Sequence, residues 1–267
     1  GLTAFNSDGF SLGSHAGSNQ GSTTYVAWQW KANGGTTSTL SGGISATVQA
    51  NTTAGFSIVK FTASDNNNQV EHGLGAVPHF IIAKGKDVSD NWFVYHKTTG
   101  ANAYIMLNQN SATDSSNSTV WRNISPTSQY FYVSTGGFND DTTDVIAYCF
   151  AEKQGYSKFG TYKGNANADG TFVYTGFKPA LVIVKGSTNV SSWNLHDNKR
   201  QTFNDGSIPY LKANNNSAEL SANNMDILSN GFKLRTADND WNGSNTYIYM
   251  AWAENPFVSS KGVPTTA

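Results

Sequence analysis

The chain has 267 residues, of which 13% are Asp, Glu, Lys or Arg and 13% are aromatic, with 26 glycines. Seventeen basic against 18 acidic residues leave no positive field to displace counterions from nucleic acid or to steer the chain onto an anionic membrane, and the aromatic content argues against disorder. The polar balance comes from Asn, Ser and Thr, which compete for the backbone in helices but suit turns and solvent-facing strand positions, so composition leans all-β.

From the N-terminus, Ser7-Asp8-Gly9-Phe10-Ser11-Leu12 followed by Tyr25-Val26-Ala27-Trp28-Gln29-Trp30 reads like Ser229–Leu234 followed by Tyr247–Trp252. Residues 1–32 are therefore expected to be the closing hairpin of an earlier copy of a repeat. Residues 33–54 are rich in Gly, Thr and Ser and read as a linker, with one short strand over Ile44–Val48.

Two full copies follow, over 55–154 and 155–257, and then a tail, 258–267. Gly55-Phe56-Ser57-Ile58-Val59-Lys60-Phe61 returns about 100 residues later as Gly155-Tyr156-Ser157-Lys158-Phe159, and Gly75–Gly85 returns as Gly176–Gly186. Trp92 and His96 face Trp193 and His196, Tyr104–Asn108 faces Tyr210–Asn214, and Val145–Glu152 faces Tyr247–Glu254. Phe80–Ala83 and Ala180–Val184 are short, apolar and β-branched, which predicts central strands buried on both faces. Polar turn clusters every 10 to 20 residues predict antiparallel sandwiches; Ser217–Leu220 is expected to form one helical turn. The fold expected is all-β: two tandem antiparallel β-sandwich repeats preceded by the hairpin.

Gly55–Phe61, His72–Pro78, Ala147–Glu152, Gly155–Gly160, Tyr174–Ala180 and Asp197–Arg200 together resemble a repeated domain of uncharacterised function. That domain occurs in large structural or fibre-like proteins of tailed phages, especially those of marine bacteria and cyanobacteria. The resemblance covers about residues 5–265. It implies a virion protein, a fibre, spike or capsid-surface decoration whose partners are other virion proteins, copies of itself as a homotrimer, or a host-surface glycan. It brings no catalytic residue and no cofactor.

The residues themselves give little chemistry. Cys149 is alone, lies in an apolar run and reads as a small buried hydrophobe. His72, His79 and His96 have no metal-ligand spacing, and His79 aligns with Ala180. The carboxylates Glu71, Asp65, Asp140, Asp141, Asp144, Asp238 and Asp240 lie mostly in turns, while Glu152 and Glu254 match after apolar strands and read as strand-end or inter-repeat contacts. Nucleophile elbows and phosphate loops are absent from the sequence, as is any apolar run near the roughly 20 residues of a membrane span. The expectation is a non-enzymatic protein with no metal or cofactor, no nucleic-acid partner and no membrane insertion. Sugar binding needs only aromatic faces and amide hydrogen bonds, and Trp121 and Trp241 stand in polar surroundings. These two, with Asn239, Asp240 and Asn242, are the predicted ligand-binding residues. A bacterial adhesin or carbohydrate-binding module is the alternative reading, and a polysaccharide depolymerase the third.

Overall fold

The computed structural model of the protein describes residues 1–32, 37–116, 119–140, 143–200 and 203–254. Part of the predicted linker, Asp141 and the tail 258–267 lie outside the described residues. Among the described residues, all regular structure is β-strand except for Ala16–Asn19 and a 3-10 turn over Gly137–Asn139. All ladders between the strands are antiparallel. The chain divides into two compact units, Gly1–Lys31 and Ala32–Ala267.

The first unit holds a hairpin, but not the one expected. Leu2–Phe5 pairs with Phe10–Leu12, and Tyr25–Trp30 is not a strand. The strand four residues away across the turn closes a shorter loop and takes the pairing edge. Tyr25 instead donates its hydroxyl to the carbonyl of Ala16, 2.7 Å away, tying the tail of the unit to its short helix.

In the larger unit the two copies have the same order of strands. The first builds a sheet in the order Phe56–Thr62, Asp144–Phe150, Phe80–Gly85, Phe93–His96, Ile105–Met106; the second runs Ser157–Lys163, Thr246–Ala253, Pro179–Gly186, Asn194–Asp197, Ile208–Lys212, Leu220–Ala222. A small sheet covers each: Asn68–Glu71 with Tyr130–Val133 in the first, and Phe172–Tyr174, Gly231–Leu234 and Met225–Leu228 in the second. The inward residues alternate as a strand period demands. Val59, Phe61, Ala147 and Cys149 meet Val70, Phe131 and Val133 in one core, and Val182, Val184, Tyr249 and Ala251 meet Val173, Phe232 and Leu234 in the other. Leu220–Ala222 is a strand paired to Ile208–Tyr210, so the helical turn expected there does not form. The open edge of the neighbouring strand claims those backbone groups.

Gly55 and Gly155 open the first strand of each copy with φ of +70° and +74°. A Cβ on Gly55 would lie 2.4 Å from the carbonyl oxygen of Ala151, so the matched glycine is a steric requirement.

The copies differ at their outer edges. The predicted linker is two strands, Ser38–Leu40 and Ala46–Asn51, which extend the first sheet by pairing Ala46–Asn51 along Phe56–Thr62. Val48, at 2% exposure, is part of the core. The equivalent strand of the second copy, Ser157–Lys163, pairs on one side only. That edge carries Lys158 and Lys163, charges that discourage further strand addition, and the Phe159 N–H donates to the Glu152 carboxylate, 3.4 Å away.

Candidate functional site

Trp121 and Trp241 are each 2% exposed. Trp121 packs edge-on against Tyr95 and tilted against Phe138 in the first core, and Trp241 edge-on against Tyr210 in the second. Neither indole offers a face to a ligand. Their polar neighbours in sequence are turn residues that fold over the ring, which is why local polarity misleads about exposure. Asn239, Asp240 and Asn242 are likewise engaged internally. Asn242 is wholly buried; its Oδ1 accepts from Asn165 N, and its Nδ2 donates to Asn165 Oδ1 and the carbonyls of Asn167 and Thr236 at 2.7–2.9 Å. Asp240 accepts from Ser192 N and pairs with Lys212 at 3.1 Å, while Asn239 accepts from Tyr247 and Asn245. The predicted binding set is a turn network that closes one end of the second sandwich.

The histidines are structural too. His72 donates from Nε2 to the Thr127 carbonyl and accepts Leu74 N at Nδ1, so both ring nitrogens are used by the neutral form. Burial pushes its pKa down to about 4 and that of His96 to about 3. Burial lowers His196 as well; its Nδ1 donates to the Pro209 carbonyl. Among the described residues no group of three or more His, Cys, Asp or Glu is placed to hold a metal ion.

Two features remain on which a binding function can rest. The first is a cavity of about 180 Å³ in the second copy. Phe203, Ile208 and Ile227 form its apolar side, and Lys178, His196 and Asn198 its polar side. Phe203 is 79% exposed, and Asn204 next to it is pinned by paired hydrogen bonds to the backbone of Ile227. The space is below the roughly 300–1,000 Å³ of a drug-sized pocket. Sequence reasoning missed it, although a signal existed: thirteen residues lie between His196 and Tyr210, against seven between His96 and Tyr104. The insertion supplies Phe203.

The second feature is the junction of the two copies. Trp193, fully buried, donates its indole N–H to the carbonyl of Met106, 2.9 Å away in the first copy. Ser191 N donates to Asn110 O and Thr113 N to Ser187 O, both at 2.9 Å. Lys185 is fully buried beside them, its ammonium donating to Gly186 O and Ser191 Oγ, and burial lowers its pKa to about 8. Further along, Phe80, Phe150, Phe159 and Trp252 form a ring cluster across the copies, with centroids 5.5–6.3 Å apart. Glu152, which also pairs with Lys97, spans the same place, while Glu254 pairs with Lys199.

The fold places the chain among all-β, sandwich-like proteins. The chain belongs to the family DUF7483, a domain of unknown function, which it matches over residues 1–256. The match runs without a break from the N-terminal segment through both main sheets of the larger unit. No curated protein and no solved structure matches the chain.

Proposed function

We propose that the protein is a non-enzymatic structural module of a phage virion surface, part of a fibre, spike or decoration, in which the fused sandwiches hold an adhesion site for a host-surface glycan. The observation that carries the reading is the junction. Backbone bonds, a buried indole and an aromatic cluster join the copies into one continuous body, as a rigid spacer requires and an enzyme with a mobile cleft does not. The sugar site of this reading is the Phe203 cavity, in place of Trp121 and Trp241. An exposed phenyl ring gives a pyranose face its stacking surface, and Lys178 and Asn198 give hydroxyl or carboxylate groups their partners. In a marine setting, a Debye length of roughly 3 to 4 Å would favour such contact-range recognition over long-range charge.

The test is binding of the whole chain to purified host-surface polysaccharide by calorimetry, with reducing ends assayed in parallel. Binding lost in Phe203→Ala without loss of fold, and no release of reducing ends, is the expected result. Reducing ends released would move the protein to the depolymerases. Binding unchanged by Phe203→Ala would remove the cavity from the account.

A further inference from the structure

The junction is a contact between two different faces of one repeat, and each repeat carries both. The donating face is the Lys-Gly turn and its tryptophan, Lys185–Trp193 in the second copy and Lys84–Trp92 in the first. The accepting face is the strand end and turn after it, where Asn108-Gln109-Asn110-Ser111-Ala112 in the first copy recurs as Asn214-Asn215-Asn216-Ser217-Ala218 in the second. Among the described residues, one donating face meets one accepting face inside the chain.

Local hydrogen bonds hold both faces the same way in both copies. Trp92 N donates to Asn108 Oδ1 at 3.0 Å, and Trp193 N to Asn214 Oδ1 at 2.8 Å. Leu107 N donates to Trp92 O and Ala213 N to Trp193 O, at 2.9 and 3.0 Å. Lys84 Nζ bonds Gly85 O as Lys185 Nζ bonds Gly186 O. Surroundings, not conformation, distinguish them. Lys185, Gly186, Ser187, Ser191, Ser192 and Trp193 are all buried, whereas Lys86–Ser89 are exposed and Trp92 is half-buried. Asn215–Ala218 are exposed as well.

We propose that the molecule associates head to tail, the Lys84–Trp92 face of one copy of the chain docking on the Tyr210–Ala218 segment of another and repeating the internal junction. In this contact the Trp92 indole N–H donates to the carbonyl of Lys212, the counterpart of Met106, and Asn216 O takes the place of Asn110 O. The interface is heterologous, so it grows into open chains or closes a ring instead of stopping at a two-fold dimer. Lys86 and Asp90 stand where Ser187 and Ser191 stand inside, and the polar exchange makes the external contact weaker than the internal one and concentration-dependent.

The test uses the full chain in sedimentation velocity over a wide concentration range. The expected result is a weight-average mass that climbs continuously past twice the monomer. Trp92→Ala and, separately, Ser217→Arg each hold the protein at monomer, with far-ultraviolet circular dichroism and a cooperative urea transition retained. Mixed in equal amounts, the two variants form dimers and nothing larger, because each retains the face that the other lacks. A monomer at every concentration, a two-fold dimer that does not grow, or assembly untouched by both substitutions overturns the proposal. Should Trp92→Ala unfold, Ser217→Arg alone decides, since its site is exposed.

Discussion

Trp92 and Trp193 hold the same place in the two repeats with the same backbone bonds, yet one is half-buried and the other has no exposed surface. Within the described residues of the larger unit, the second repeat has the first as its neighbour on that side, and the first has no third repeat there. A matched pair of residues in a repeat protein therefore reports on neighbours as much as on the fold, and substitutions at matched positions separate the two contributions. Trp193→Ala removes a fully buried indole and orphans the Met106 carbonyl. It is expected to cost roughly 3–5 kcal/mol by urea unfolding, while Trp92→Ala costs about 1 kcal/mol or less in dilute monomer. Equal costs would mean that the junction contributes nothing beyond each repeat's own core.

Asn242 is the next contrast, since the residue after the loop tryptophan of the first repeat is Arg122, at a φ of +57°. Asn242→Ala removes the partner of Asn165 N and of the Asn167 and Thr236 carbonyls, and about 2–3 kcal/mol of unfolding free energy should be lost. Hydrogen exchange would show the loosening concentrated around 163–170 and 236–243, with the first repeat unaffected.

The buried histidines add a pH dependence. A histidine with its folded pKa depressed binds fewer protons in the native state than when unfolded, so its contribution is intact above about 6.5 and is lost as the pH falls toward the folded value. For His72 that window runs from about 6.5 to about 4, and full protonation costs on the order of 3 kcal/mol. His72→Gln keeps a donor for the Thr127 carbonyl and should flatten the fall in stability over that window. An unchanged pH profile in this variant would shift the cause to the other buried histidines. The smallest difference is between the matched carboxylates. Glu152→Gln weakens the Lys97 pair and the contact to Phe159 N, at about 0.5–1 kcal/mol; Glu254→Gln breaks only an exposed pair and should fall within error.

The principal strands were legible because apolar alternation and Gly-opened turns act locally, and because two copies expose each shared position twice; their pairing order, which rests on contacts far apart in the chain, was not. Ala83 and Val184, or Ala147 and Tyr249, announce an inward face without further context, whereas Phe159, matched by spacing to the inward Val59, faces the aromatic cluster at the junction. The short strand expected over Ile44–Val48 forms as Ala46–Asn51, but its partner Ser38–Leu40 and its place in the sheet were hidden, because Thr, Ser and Gln on an outer strand look the same as linker composition. Only the vacant edge of Phe56–Thr62 makes them a sheet. Trp121 and Trp241 failed for the opposite reason: polar neighbours mark a turn, and a turn that folds back over a core buries its central ring. The Phe203 cavity depends on an unequal loop length, which a reading for likeness between copies passes over.

Cys149 fills the place that Ala251 fills in the second repeat, with its side chain fully inside the first core and burial pushing its thiol pKa up. As the one sulfhydryl in the chain, it resists alkylation while the sheet between Ser57 and Ile81 stays closed. The rate at which a thiol reagent labels it is therefore a clock on the opening of the first sandwich alone, needing no added probe, and cysteines introduced elsewhere on the surface can be modified without disturbing it.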